Sequence, residues 1–175
     1  MELYNSNYRK TALEDWVTNF YRGKKIFHPS QINEVHIART YDIFINHWEL
    51  PSMYKVNGRF RGIYINKRIS KEQQREIFFH ELCHILRHTA VQTMMPAAFR
   101  ELQEWDARHF TLYAAIPAHM LKFIDFKDEY VIDQMASLFK VTPELCEERL
   151  EQIKNRCMSF NCIAENRHKY ENANY

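Results

Sequence analysis

Glycine is scarce in this sequence of 175 residues, which contains only Gly23, Gly58 and Gly62. Their positions cannot supply the G-x-G-x-x-G fingerprint of a Rossmann dinucleotide site or the G-x-x-x-x-G-K-[ST] fingerprint of a P-loop. Both phosphate-binding loops are therefore excluded by counting. ATP-driven chemistry that depends on such loops is excluded with them.

Long apolar runs and a strong charge of one sign are also missing. The N-terminus is polar, and nowhere do eighteen apolar residues follow one another, so we expect no signal peptide and no transmembrane segment. The resulting expectation is a soluble, cytoplasmic protein. The 24 Lys and Arg residues against 22 Asp and Glu residues give a net charge of +2, which is too small for a broad nucleic-acid-binding face. We therefore expect no direct nucleic-acid binding.

Cysteine is limited to Cys83, Cys146, Cys157 and Cys162. Four cysteines could form two disulfides, but a chain of this length without an export signal is expected to keep them as thiols. Four residues separate Cys157 from Cys162, and no second close pair completes a zinc ribbon. We therefore favour a role without metal for these two residues.

The sequence is rich in apolar bulk, with 46% hydrophobic and 14% aromatic residues, which favours one ordinary globular domain. Residue periodicity predicts a helical chain that contains a small antiparallel sheet. The predicted helices cover 13–21, 30–40 with Ser30 as its cap, 70–88, 97–115, 129–140 and 143–155, and the predicted strands cover 41–48, 52–56 and 61–66, with a turn at Asn57–Gly58. We expect the polar tail after residue 155 to be partly disordered.

The segment that follows Ser70 carries the strongest chemical signal. Ser70 and Gln73 form a capping box that predicts the start of a helix, and His80 and His84 lie four residues apart within it. Such residues share one helix face about 6 Å apart along the axis, so both imidazoles can reach one metal ion while Glu81 reaches its water. This H-E-x-x-H spacing is typical of zinc hydrolases. The alternative is two surface histidines on a helix.

A catalytic zinc site needs a third protein ligand. His88 lies about 12 Å along the axis from His80, too far for three ligands on one straight helix. His88 would then contact the ligands rather than the metal, contact the substrate or, as we favour, lie on the helix surface. The third ligand is expected from the next helix, where the candidates are Glu101, Glu104, Asp106 and His109.

The segment His80–His84, followed some twenty residues later by Glu104-Trp105-Asp106-Ala107-Arg108-His109-Phe110 and then by Ile116-Pro117, resembles the ImmA/IrrE family of metallopeptidases. The pattern of that family is H-E-x-x-H, then E-x-x-A-x-x-F-A and a Met-Pro or Ile-Pro near the helix end. The resemblance implies that His80, His84 and Glu104 bind Zn²⁺ and that Glu81 is the general base. Asp106 is the reserve ligand, because many relatives carry an acid just before the alanine.

The resemblance also implies a fold, which is a mainly helical α+β, zincin-like metallopeptidase. The metallopeptidase domain is expected over residues 1–122, a C-terminal helical module over 123–156 and a tail over 157–175. The sequence departs from the family pattern at Cys83, where relatives often have glycine, and at Thr111, where alanine follows the phenylalanine. We expect the strand edge near 61–66 to hold an extended peptide beside the zinc.

The implied mechanism is metal-assisted hydrolysis, in which Glu81 takes a proton from the attacking water and delivers it to the leaving amine. A second group that stabilises the oxyanion is also expected. Its candidates remain open and include His88, His109, His119 and Tyr113.

Residues 136–150 have the spacing of a helix-turn-helix, with Lys140 where glycine is commonest. DNA reading would need a basic second helix, whereas this one carries four carboxylates, at Glu144, Glu147, Glu148 and Glu151. Phosphates would be repelled by this face. We therefore favour a structural module or a docking surface for protein over DNA binding.

The resemblance implies a function as well. Members of the family typically cleave a helix-turn-helix transcriptional repressor, and this chain is most similar to the antirepressors of phages and mobile elements. We expect a monomeric endopeptidase whose partner is such a repressor. Two alternatives remain open: a non-catalytic antirepressor that sequesters the repressor, and the toxin-like half of a two-gene module.

Overall fold

The computed structural model describes residues 8–88 and 96–172, with side chains as far as residue 158. It has the mainly helical α+β architecture that the sequence predicts. The elements in chain order are α1 (Ala12–Gly23), α2 (Glu34–Arg39), β1 (Ile43–Trp48), β2 (Met53–Asn57), β3 (Phe60–Asn66), α3 (Lys71–Arg87), α4 (Ala97–Ala115), α5 (Val131–Phe139) and α6 (Pro143–Asn172). Short 3-10 turns cover Pro29–Gln31 and Ala118–Phe123. The polar N-terminus and the last three residues of the tail lie outside the described residues.

The capping box at the start of α3 is confirmed. The Gln73 backbone N–H donates to the Ser70 hydroxyl, and the Ser70 backbone N–H donates to the Gln73 side chain, each over 3.2 Å. Both bonds satisfy amides that the first turn of a helix leaves without partners. The helix that carries the H-E-x-x-H motif therefore begins where its sequence predicts.

The predicted cap of the second helix is wrong. Asn33 rather than Ser30 caps α2, because the Asn33 side chain accepts a hydrogen bond from the His36 N–H over 2.9 Å. Ser30 lies instead in the 3-10 turn that begins at Pro29. The fixed φ of proline suits the first position of that turn, so the chain turns once before α2 starts.

The sheet has the strand order β1-β3-β2 and is mixed. β2 and β3 form the predicted antiparallel hairpin through Gly58, whose φ is 57°. β1 lies parallel to β3, so the prediction of a fully antiparallel sheet is wrong. The most buried strand takes the centre: Ile63 and Ile65 of β3 are 0% and 3% exposed. Because β3 returns between β1 and β2, residues 61–64 are paired on both sides, and Ile65 and Asn66 pair with β1.

The core lies where the sheet and α4 pack against α3. Phe78 and Leu82 on α3, Ala107 and Phe110 on α4 and Ile63 on β3 are all fully buried. The small Ala107 side chain lets the two helices approach closely. This packing holds the second half of α3 at a fixed distance from the middle of α4.

The C-terminal helices meet at Lys140, which ends α5 in the left-handed conformation with φ 56° and ψ 52°. Glycine is favoured there, as the sequence pattern indicated. α6 continues to Asn172, past the predicted end at residue 155, so the tail expected to be partly disordered is helical up to Asn172. No glycine or proline follows Pro143, so the usual stop signals are absent.

The cysteines that the structure describes are thiols, as expected. Cys83, Cys146 and Cys157 are free, and the side chain of Cys162 lies outside the described residues. None of the helices in the described ranges is both long and apolar enough to cross a bilayer.

Arg149 is fully buried and ties the C-terminal helix to α1. Its guanidinium donates to Glu14 over 2.6 Å, to the Ile116 carbonyl over 3.3 Å and to the Tyr8 hydroxyl over 3.2 Å. Arg156 also pairs with Glu14. Burial raises the pKa of Glu14, but the charge of Arg149 and the hydrogen bonds to Glu14 outweigh this effect and hold its pKa below the ordinary value.

We expect Glu14→Gln to lower the free energy of unfolding by about 3–5 kcal/mol at pH 7, because it leaves the buried arginine charge uncompensated. The folded-state pKa of Glu14 is depressed, so its stabilisation is present above about pH 4 and is lost as the pH falls further. Urea denaturation from pH 7 to pH 3 measures both effects. Asp15→Asn is the matched control, since Asp15 lies beside Glu14 on α1 and forms only an exposed ion pair, with Lys10. Equal losses in the two variants would contradict the expectation.

Candidate metal centre

α3 places two imidazoles side by side. His80 and His84 lie one turn apart, and their Nε2 atoms are 3.2 Å apart. The His84 side chain is 3% exposed and that of His80 is 32% exposed. Burial lowers the pKa of His84 well below its ordinary value, even though Glu104 opposes the shift. His84 is therefore a neutral imidazole, the form that binds metal ions.

Glu104 completes the group from α4. One of its carboxylate oxygens lies 3.2 Å from His80 Nε2 and the other lies 3.5 Å from His84 Nε2. Potential ligand atoms of the three residues all lie within 4.8 Å of one another. Two imidazole nitrogens and one carboxylate form a donor set that suits a catalytic zinc ion with an open fourth position. Glu104 is 52% exposed, so the group is accessible from solvent.

Glu81 lies beside this group and is partly buried. Burial and the nearby charge of Glu104 raise its pKa to about 7, although a hydrogen bond from the Tyr54 backbone N–H opposes the shift. A carboxyl group with this pKa can both accept and donate a proton at neutral pH. This is the property that a general base in peptide hydrolysis needs.

Sequence reasoning missed Tyr54 as a residue of the site. Its ring stacks on the His84 imidazole, with ring centroids 5.1 Å apart and an angle of 15° between the planes. Burial raises the pKa of Tyr54, and the charges of Glu81 and Glu104 add to the shift. No sequence signal links a tyrosine of β2 to a histidine of α3 thirty residues later. Only the packing of the sheet on the helix brings them together.

Asp106, the reserve ligand, belongs to a different group. Its carboxylate accepts hydrogen bonds from Arg87 Nε over 2.8 Å and from Arg87 Nη2 over 3.3 Å. One of its oxygens also lies 3.1 Å from His88 Nε2 and 3.7 Å from Cys83 Sγ. Glu104 and Asp106 therefore contact different residues of α3.

The interpretation of His88 as helix surface is wrong. Its side chain is 8% exposed, and its Nδ1 lies 2.9 Å from Nδ1 of His84. α3 ends at Arg87, and His88 leaves the helix with φ −113° and ψ 105°. The prediction assumed a straight helix through His88, whereas the extended backbone of this residue lets its imidazole lie against His84.

Cys83, His88 and Asp106 are close enough to hold a metal ion, but their chemistry does not suit one. Burial and the charge of Asp106 raise the pKa of the Cys83 thiol far above its ordinary value, so the thiolate that binds metals is disfavoured. The Arg87 guanidinium also neutralises Asp106. Of the two such groups among the residues that the structure describes, we therefore take His80, His84 and Glu104 as the candidate metal position.

The other oxyanion candidates are engaged in contacts of their own. His109 Nδ1 lies 2.8 Å from the Trp105 carbonyl oxygen, and His119 Nε2 lies 3.3 Å from the Ile26 carbonyl oxygen. The Tyr113 hydroxyl accepts a hydrogen bond from Arg156. Tyr54, whose ring stacks on His84, joins the candidates for the group that stabilises the oxyanion.

An open cleft of about 330 Å³ adjoins His80 between α3, α4 and the start of α6. Ile77, Leu112 and Leu145 contribute apolar walls, and the carboxylates of Glu144 and Glu148 also line the cleft. A side chain of a bound peptide fits a space of this size next to the candidate metal position.

A mainly helical α+β chain in which an H-E-x-x-H helix meets a glutamate of the next helix is zincin-like. The family model of a peptidase family described as "IrrE N-terminal-like domain" matches residues 27–151. The chain belongs to this family, which confirms the resemblance to ImmA/IrrE proteins.

Two proteins of Bacillus subtilis (strain 168) are similar over most of their length. The uncharacterized protein YqaB is 34% identical over 145 residues, which cover 82% of this chain and 84% of YqaB. The phage-like element PBSX protein XkdA is 34% identical over 147 residues, which cover 82% of this chain and 74% of XkdA.

We expect tag-free protein to bind about one zinc ion per chain and Glu104→Ala to lower its zinc affinity by about 100-fold or more, because loss of a ligand exceeds the effect of losing an outer partner. Elemental analysis and competition with a chromophoric chelator measure the two quantities. Glu101→Ala is the matched control, since Glu101 is an exposed carboxylate one turn earlier on α4. Equal zinc affinity in the two variants would remove Glu104 from the site.

Proposed function

We propose that this protein is a zinc-dependent endopeptidase that cleaves a helix-turn-helix transcriptional repressor and so relieves repression of a phage or mobile element. The observation that carries the proposal is the convergence of His80, His84 and Glu104 beside the partly buried carboxyl group of Glu81. Membership of a peptidase family supports the activity. The similarity to a protein of a phage-like element supports a role in a phage or mobile element.

The ligand set would hold zinc through His80 Nε2, His84 Nε2 and the Glu104 carboxylate. When bound, zinc would supply a Lewis acid for the scissile carbonyl and for the attacking water. Glu81 takes the proton from that water on its carboxylate and then donates it to the leaving amine nitrogen. Burial raises the pKa of Glu81 in the metal-free protein, so its carboxylate is a stronger proton acceptor than an exposed glutamate.

The free edge of β2 is suited to hold the substrate backbone, in place of the segment 61–66. No strand of the described ranges 8–88 and 96–172 pairs with the outer side of β2. Because Asn57 and Phe60 pair across a two-residue turn, the alternation of an antiparallel ladder turns the backbone groups of Tyr54 and Val56 away from β3. Tyr54 directs its N–H to Glu81, so this edge begins at the candidate general base.

An exposed apolar stripe on α4 supports a protein as the substrate. Phe99, Leu102 and Trp105 follow one another at three-residue spacing and are 59–60% exposed. Exposed apolar patches of this kind mark interaction surfaces. Trp105 is adjacent to Glu104 in sequence, so a partner bound along this stripe lies close to the candidate metal position.

The negative charge at the start of α6, in the C-terminal module, also favours a protein partner over nucleic acid. The first two turns of α6 carry Glu144, Glu147 and Glu148, and phosphates would be repelled there. A monomer that meets its repressor in the cytoplasm needs no DNA contact of its own.

We expect Glu81→Gln to keep the zinc affinity of the wild type and to lower the rate of repressor cleavage by about 10²- to 10⁴-fold, because proton transfer is lost while the ligands remain. The assay combines the purified protein, zinc and the repressor encoded in the same element, with fragment masses as readout. Glu72→Gln is the matched control, since Glu72 lies in the first turn of the same helix, about 13 Å along the axis from Glu81.

A chelator should stop fragment formation by the wild type. A stable complex with the repressor that yields no fragments, in the presence of bound zinc, would instead establish sequestration. Cleavage at the wild-type rate by Glu81→Gln would refute the assignment of Glu81 as the general base.

We expect Val56→Pro to lower the cleavage rate by about 2- to 10-fold, because it removes one backbone donor from the outer edge of β2. The fold should persist, since proline is tolerated where a strand N–H faces away from the ladder. Circular dichroism checks the fold and the repressor assay measures the rate. Val56→Ala retains the N–H and serves as the control. Equal rates in the two variants would place the substrate elsewhere.

A further inference from the structure

His84 stands at one end of a partly buried line of polar groups. Its Nε2 faces His80 and Glu104, over 3.2 Å and 3.5 Å, and its Nδ1 lies 2.9 Å from Nδ1 of His88. On its far side, His88 Nε2 lies 3.1 Å from Asp106. The line ends at Arg87, which donates twice to the same carboxylate.

The contacts determine where the protons lie. Asp106 is only partly buried and is ionised at neutral pH with or without Arg87, because aspartic acid ionises at about pH 4, and a carboxylate only accepts hydrogen bonds. The hydrogen between His88 and Asp106 is therefore on His88 Nε2. When His88 carries this one hydrogen only, its lone pair is on Nδ1 and accepts the N–H of His84 Nδ1 over 2.9 Å. The lone pair of His84 is left on Nε2, toward His80 and Glu104.

We propose that His88 and Asp106 are positioning residues that hold His84 in the one tautomer and ring orientation that can bind zinc, without touching the metal themselves. The inference rests on the proposed zinc site. The sequence had indicated other roles for both residues: Asp106 was the reserve ligand, and His88 was expected on the helix surface. Outer partners of metal-binding histidines commonly raise metal affinity in this way.

A purely structural role makes a different prediction. Arg87, His88 and Asp106 also join the end of α3 to α4, so any change there could loosen the fold. Arg87→Met weakens this tie but leaves both histidine contacts in place. His88→Phe keeps the shape of the ring and removes the acceptor for His84. His88→Asn restores an acceptor at the position of Nδ1.

The test measures zinc affinity by chelator competition, and thermal unfolding of the metal-free protein, for the wild type and these three variants. We expect His88→Phe to lower zinc affinity by about 10- to 100-fold and His88→Asn to recover most of it. Arg87→Met should lower the unfolding temperature while zinc affinity stays close to the wild-type value. Histidine ¹⁵N NMR of the metal-free wild type should show the proton of His84 on Nδ1, with a mixture of tautomers in His88→Phe.

Wild-type zinc affinity in His88→Phe, or a His84 proton on Nε2 in the wild type, would overturn the inference while the proposed peptidase stands. A loss of zinc affinity in Arg87→Met as large as that in His88→Phe would reduce the cluster to a structural tie and also overturn it. A wild-type protein that binds no zinc would overturn both the inference and the proposed function.

Discussion

The close packing of α3 against α4 is the constraint on which the candidate site depends. The fully buried Phe110 of α4 contributes about 1.5–3 kcal/mol by its burial, and the fully buried Ala107 leaves room for the helices to approach. That approach brings Glu104 within 3.5 Å of both His80 and His84. A metal-binding group on two helices can form only if the core between them is well packed. A metal ion bound by this group would therefore be coupled to folding at this contact.

Two buried arginines hold the ends of the helices around this core. Arg149 donates to the Ile116 carbonyl at the end of α4, and Arg75 donates to the Phe139 carbonyl at the end of α5. The last carbonyls of a helix have no partners within it, so each guanidinium satisfies a group that would otherwise be buried without a hydrogen bond. Glu14 neutralises Arg149, and Glu34 neutralises Arg75. The ion pairs of these two buried arginines are thus structural.

Local sequence signals predicted the helices and strands well. They predicted helix ends and the contacts between elements less well. The capping box at Ser70, the helix that follows it and the left-handed position of Lys140 all follow from patterns within a few residues, and all are present. Ser30 failed as a cap because Asn33 and a proline-initiated turn compete over the same short segment. The prediction for His88 failed because the helix ends one residue before it.

The sequence by itself determined that His80 and His84 share a helix face with Glu81 between them, because a period of 3.6 residues places such residues together in any α-helix. It also determined the family, through the spacing of these residues to Glu104. Only the tertiary structure decided that β3 takes the centre of the sheet, that Tyr54 stacks on His84 and that His88 lies between His84 and Asp106. Periodicity determines which residues share a face of one element, whereas contacts between elements depend on how all the apolar faces pack together.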